Sequence, residues 1–142
     1  MKVFISADIE GTTLTTYWDQ TRTLTDAKAK PHCQQMTREV VAACEGAFAA
    51  GATEILIKDA HGKGINIDIN QLPECATLIR NWSGHPLSHT ETTLTTSVRL
   101  NGMVCSEFLL YSGACAMMGV PTVLLAGDKM LTEDSKGIHP KL

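Results

Sequence analysis

No two cysteines in this sequence stand at C-x-x-C spacing. The five of them, Cys33, Cys44, Cys75, Cys105 and Cys115, are scattered and odd in number. This excludes a disulfide scaffold and the common thiolate zinc frameworks, and predicts reduced thiols that are mostly buried. Basic clusters are also lacking. Lys and Arg number 12 against 15 Asp and Glu, for a formal charge of −3. Without a Lys/Arg face, nucleic acid is not an expected partner. No apolar run approaches the length of a bilayer span, so no membrane is expected either. The N-terminus offers one Lys, a strand and then acids, which is not a secretory leader, and the cytoplasm is the expected location. What remains is an ordinary globular composition, 44% apolar and 19% charged with few aromatics, in 142 residues. That is enough chain for one domain with a core.

The stretch Lys2-Val3-Phe4-Ile5-Ser6-Ala7-Asp8-Ile9-Glu10-Gly11 carries the strongest pattern. Val3, Phe4, Ile5 and Ala7 have strand composition, and the strand ends in two acids. Two residues apart in extended chain, Asp8 and Glu10 share a side. Like charges held together at the edge of a core call for a shared proton or a cation. The Thr-rich residues 12–30 read as a long loop beside this strand end, where Tyr17 and Trp18 either line a pocket or pack on the core.

Pro31 opens a helix over 32–50. Cys33, Met36, Val40, Ala43, Cys44, Ala47 and Phe48 recur at spacings of three and four, and Gly51 suits the position just past its end. Gly46 inside it implies close packing against a strand. His32 reads as a surface residue. Thr53 to Gly62 is the second strand and its exit. Strand, helix, strand makes a βαβ unit, and both strands read as nearly continuous apolar runs, as parallel central strands do. Their C-terminal ends then share one sheet edge, which brings Asp59 and His61 beside Asp8 and Glu10. His61 suits a metal, with one ring nitrogen on the ion and the other held by a neighbour. Asp59 is a ligand, an orienter of one, or a turn residue.

Further on, residues 66–70 form an edge strand or begin a short helix, and Ala76–Arg80 is a short strand. A Gly/Pro/Ser loop follows with two histidines, His85 and His89. Asn101-Gly102 marks a hairpin turn. Ser106 is a plausible N-cap for an almost wholly apolar helix, buried or in an interface, with Glu107 in its first turn. Val120–Asp128 reads as a last strand whose Asp128 approaches the same edge, and a helix begins at Met130.

Taken in order, Ala7-Asp8-Ile9-Glu10-Gly11, Lys58-Asp59-Ala60-His61-Gly62, Pro86-Leu87-Ser88-His89-Thr90, Asn101-Gly102 with Ser106-Glu107, and Val120-Pro121 through Gly127-Asp128-Lys129 resemble the D-aminopeptidase DppA family, the M55 metallopeptidases. The resemblance covers nearly the whole chain. It implies a three-layer α/β fold around a mostly parallel sheet, with its active edge at the strand C-termini. It also implies two zinc ions, with Asp8 bridging both, Glu10 and His61 completing the first, and Glu107 on the second. His89 matches the family histidine assigned to catalysis. The mixed N/O donor set suits Zn²⁺ and tolerates Mn²⁺ or Co²⁺. The substrate implied is a short peptide with a free amino terminus, D-residues being the precedent, and the assembly implied is a homo-oligomer, with decameric rings as precedent.

The chain departs from the family pattern where Gly84-His85-Pro86 runs directly into Leu87-Ser88-His89. Members carry there a further strand with a metal-binding His in a G-Y-H-A-like segment. They also continue beyond the G-D-K segment. Either residues are missing near 84–87 and 136–138, which is the expectation, or the chain is a degenerate copy with a broken second metal site. The second case implies a non-catalytic metal-binding or structural homologue. A Mg²⁺-dependent phosphatase or nuclease would also place acids at a strand end, but His61 and the lack of a phosphate cradle count against it.

Overall fold

A computed structural model describes residues 1–81 and 99–140. The chain divides into two units, Met1–Glu91 and Thr92–Leu142. In the first, strand β1 (Lys2–Ala7) pairs in parallel with β2 (Glu54–Asp59), which pairs in parallel with β3 (Ala76–Ile79). The order β1-β2-β3 puts β2 in the middle. Helix α1 (Lys30–Ala49) is the crossover between β1 and β2. The α/β architecture with a parallel sheet is therefore as expected.

Helix α1 forms where the periodicity places it. Its N-terminus has no side-chain cap of its own; Asp26 closes the preceding turn, Oδ1 accepting the N–H of Lys28 at 2.9 Å, and Pro31 sits in the first turn. Cys33, Met36, Thr37, Val40 and Cys44 make its buried stripe. At its end, Ala52 N–H donates to Ala47 C=O and Gly51 N–H to Phe48 C=O, both at 2.9 Å, which satisfies two of the last carbonyls. The stripe meets Ile55 and Ile57 of β2, with Ile9 and Ile67 from the loops beyond β1 and β2. Ile9, Ile57 and Ile67 are completely buried, and each such side chain stabilises the fold by roughly 1.5–3 kcal/mol.

Among the described residues of this unit, α1 covers one face of the sheet. Phe4 and Leu56, paired in register, are 53% and 37% exposed, and Ile79 is 43% exposed. The strands were expected to be parallel, from their nearly continuous apolar runs, and they are. Their apolar runs are compatible with cover on either side, and α1 supplies it on one. Gly46 departs from expectation. It lies on the exposed side of α1, and a Cβ there would meet nothing within 4 Å, so it serves no close packing. Residues 66–70 resolve as a 3₁₀ turn, Ile69–Gln71, rather than an edge strand. Of the cysteines, Cys33 and Cys44 are buried, Cys105 and Cys115 partly so, and Cys75 is exposed.

In the second unit, β4 (Arg99–Leu100) and β5 (Met103–Val104) form an antiparallel hairpin. Asn101 and Gly102 both have positive φ, 50° and 83°, as the tight two-residue turn requires. Helix α2 (Glu107–Met117) is capped by Ser106, whose Oγ accepts the Leu109 N–H at 3.2 Å. None of its residues is buried among the described residues, which leaves the interface of the two alternatives offered by its composition. Helix α3 (Lys129–Ile138) starts at Asp128, whose Oδ1 accepts the Leu131 N–H at 2.9 Å.

The expected last strand over 120–128 does not form; those residues belong to neither sheet. An extended apolar segment becomes a strand only where a second backbone completes its hydrogen bonds. Among the described residues, no helix is long and apolar enough to cross a membrane.

Candidate metal centre

The acids of the first strand and the histidine of the second meet because their strands are parallel and in register. Ala7 lies opposite Asp59, and the Ala60 N–H donates to the Ala7 C=O at 2.8 Å. Alternation persists past the end of β1. Ala7 and Ile9 point into the core, while Asp8 and Glu10 turn toward His61. The Nδ1 of His61 lies 3.0 Å from Asp8 Oδ1 and 2.9 Å from Glu10 Oε2. One donor atom from each residue falls within a 4.8 Å group, and no other such cluster of three occurs among the described residues.

The other ring nitrogen decides how this group can be used. Nε2 of His61 lies 2.6 Å from the carbonyl oxygen of Thr21. A carbonyl only accepts, so Nε2 carries a proton and donates it. In the neutral ring Nδ1 is then unprotonated and aimed at the two carboxylates. That is the orientation an imidazole needs to ligate a cation, with its outer nitrogen fixed by a backbone oxygen. A mixed oxygen and nitrogen set of this kind fits zinc.

Without a cation, the proton takes its place. Burial disfavours the imidazolium, but hydrogen bonds to Asp8 and Glu10, reinforced by their charge, push His61 up to about 10. Burial likewise works to raise Asp8, yet hydrogen bonds with His61 and Glu10 outweigh it and hold the carboxyl below its ordinary range. The Ile9 N–H adds a 2.8 Å bond to Asp8 Oδ1.

The Thr-rich loop is ordered by its hydroxyls and brings Thr21 to this point. Thr12 Oγ1 donates to Ile9 C=O at 2.8 Å, and Thr13 N–H reaches Glu39 Oε1 on α1 at 2.9 Å. Thr15 Oγ1 meets His32 Nδ1 at 3.0 Å. Thr21 is buried, its hydroxyl donating to Trp18 C=O at 2.9 Å. Tyr17 and Trp18 do not pack on the core; they are 70% and 73% exposed.

On the far side, a sharp loop carries His61. Gly64 has φ +64°, and a Cβ there would stand 2.7 Å from Asn81 N, so only glycine fits. Asp59, left open from the sequence, is completely buried. Its carboxylate accepts the N–H groups of Asn66 and Ile67 at 2.7 and 2.9 Å and the Asn66 side-chain amide at 2.9 Å.

Glu107 lies in the second unit, exposed in the first turn of α2. Asp128 caps α3. His89 lies outside the described residues, as does the junction at 84–87. The Thr21 carbonyl was not anticipated from sequence: a backbone oxygen leaves no mark in residue type.

The profile of the M55 peptidase family, described as D-aminopeptidase, matches this chain in two segments, 1–88 and 81–142. The chain belongs to that family. Its fold is similar to that of the Zn-dependent D-aminopeptidase DppA from Bacillus subtilis, a self-compartmentalizing protease. The TM-score is 0.85 at 22% identity, over 100% of this chain and 61% of that one. At this identity the likeness concerns the fold, and the chain spans about 61% of the length of its structural relative. No curated protein matches it.

Proposed function

We propose that this chain carries the metal centre of a zinc-dependent aminopeptidase that removes the N-terminal residue of short peptides, D-residues among them. The observation that carries this is the ring of His61, with Nε2 on the Thr21 carbonyl and Nδ1 between Asp8 and Glu10. Membership of the D-aminopeptidase family supports the substrate class.

Asp8, Glu10 and His61 hold the first zinc in this reading. By the family resemblance alone, a second ion would take Asp8 and Glu107 as ligands. Bound zinc supplies a water of lowered pKa and polarises the scissile carbonyl. Thr21 keeps the His61 proton on Nε2 throughout, which leaves Nδ1 to the site. His89 stabilises the developing oxyanion or passes a proton to the leaving amine. The protein works in the cytoplasm as a homo-oligomer, a decameric ring being the form considered. The family profile matches in two separate segments that overlap at 81–88, which supports the reading that a family segment is missing there.

The test is hydrolysis of a short D-aminoacyl peptide by the zinc-loaded protein, followed as release of the free N-terminal amino acid. Activity should stop with a chelator and return with zinc. Zinc binding without hydrolysis of D- or L-peptides would favour instead a non-catalytic homologue, for which the absent G-Y-H-A-like segment is the motive.

A further inference from the structure

We propose that Asp59 and Asn66 are positioning residues for His61, a buried clamp that sets the backbone from which the imidazole reaches the acids. This rests on the reading of Asp8, Glu10 and His61 as a zinc site. Asp59 and Asn66 are both completely buried. Neither belongs to the group of donor atoms itself. Both oxygens of Asp59 are turned to the loop: Oδ2 takes the N–H of Asn66 and of Ile67, and Oδ1 takes Nδ2 of Asn66.

The same Nδ2 donates at 2.7 Å to the carbonyl oxygen of His61. The amide NH₂ therefore joins Asp59 to the backbone of His61. The Gly64 N–H bonds that same carbonyl at 2.8 Å. Ile67, next in sequence, is sunk in the core and anchors the end of the clamp.

The orientation of the amide is fixed by chemistry. Turned over, its oxygen would face a carboxylate and a carbonyl, both acceptors. In the orientation observed, Asn66 Oδ1 is buried without a partner among the described residues. A buried acceptor is left unpaired where the two donations opposite it govern the geometry. A ligand histidine needs both its ring and its backbone held. Thr21 holds the ring through Nε2, and Asn66 and Asp59 hold the chain.

The experiment compares metal affinity of the full chain and its variants by competition with a chromophoric chelator, using Zn²⁺ and Mn²⁺ in turn. Asn66→Ala should weaken Zn²⁺ about 10- to 100-fold, as loss of an outer partner of a metal ligand does. Mn²⁺, which leans on carboxylates more than on imidazole, should be affected several-fold less. Asn66→Ser is the second variant, should the alanine form not fold. Asn70→Ala, in the neighbouring turn, should leave both affinities unchanged. An equal loss for both metals would mean a general structural role and overturn the clamp. So would unchanged Zn²⁺ affinity in a folded variant while the unaltered protein binds zinc. No zinc binding by the unaltered protein would overturn the site reading and the clamp with it.

Discussion

The imidazole of His61 is held from behind by Thr21: Nε2 stands 2.6 Å from a backbone oxygen contributed by a loop forty residues earlier in the chain. This one contact commits Nδ1 to Asp8 and Glu10, and the consequences can be measured.

In the metal-free protein the pH dependence of stability follows from His61. Its folded-state value, about 10, lies above the ordinary 6.5. A raised value means that the folded state holds the proton more tightly, so the stabilisation is complete below about 6.5. It is then lost as pH rises through about 10. Thermal melts with chelator present should show melting temperature falling between pH 6.5 and 10, by more than in a His61→Gln variant. Parallel profiles for the two proteins would contradict this assignment.

Asp8 and His89 should part company on substitution. Asp8→Ala should lose metal and activity together. His89→Ala should keep its metal while kcat falls by roughly 10² or more, with KM little changed, because its contact is made in the transition state. Metal analysis and steady-state kinetics separate the two. Loss of one equivalent of zinc from the His89 variant would make it a ligand.

Adjacent residues of β2 should respond very differently. Ile57 is completely buried and Leu56 is 37% exposed. Ile57→Ala should cost about 2–5 kcal/mol. Leu56→Ala should cost less than half as much, since much of its surface is already in water. Urea unfolding of the two variants decides, and similar costs would show that the exposed sheet face is covered in solution.

Two glycines make a matched pair. Gly46→Ala should stabilise by about 0.5–1 kcal/mol, because the site is helical, exposed and open. Gly64→Ala should destabilise by about 1–3 kcal/mol, because the added carbon meets the Asn81 backbone at positive φ. Denaturant midpoints of both variants provide the check.

What could be read in the sequence was what periodicity and residue type encode. The spacing of Cys33, Met36, Val40 and Cys44 gave α1 to within two residues, and Asn101-Gly102 gave its hairpin. The convergence of Asp8, Glu10 and His61 followed from two parallel strands ending on one edge. What escaped was set by neighbours rather than by local pattern. Phe4 and Leu56 look like core residues until α1 is seen to lie over the other face. Val120–Asp128 has strand composition, and Asp128 serves to cap α3. Asp59 has a side chain suited to a metal, and only its three donors reveal that it binds the chain instead.

The central claim is that Asp8, Glu10 and His61 hold zinc, with His61 bound through Nδ1. Anomalous scattering at the zinc edge from crystals of the zinc-loaded protein tests it most directly. The account predicts a peak bonded to Asp8, Glu10 and Nδ1 of His61, with Nε2 still on the Thr21 carbonyl. A peak on Nε2, or zinc bound only at other residues, would contradict it.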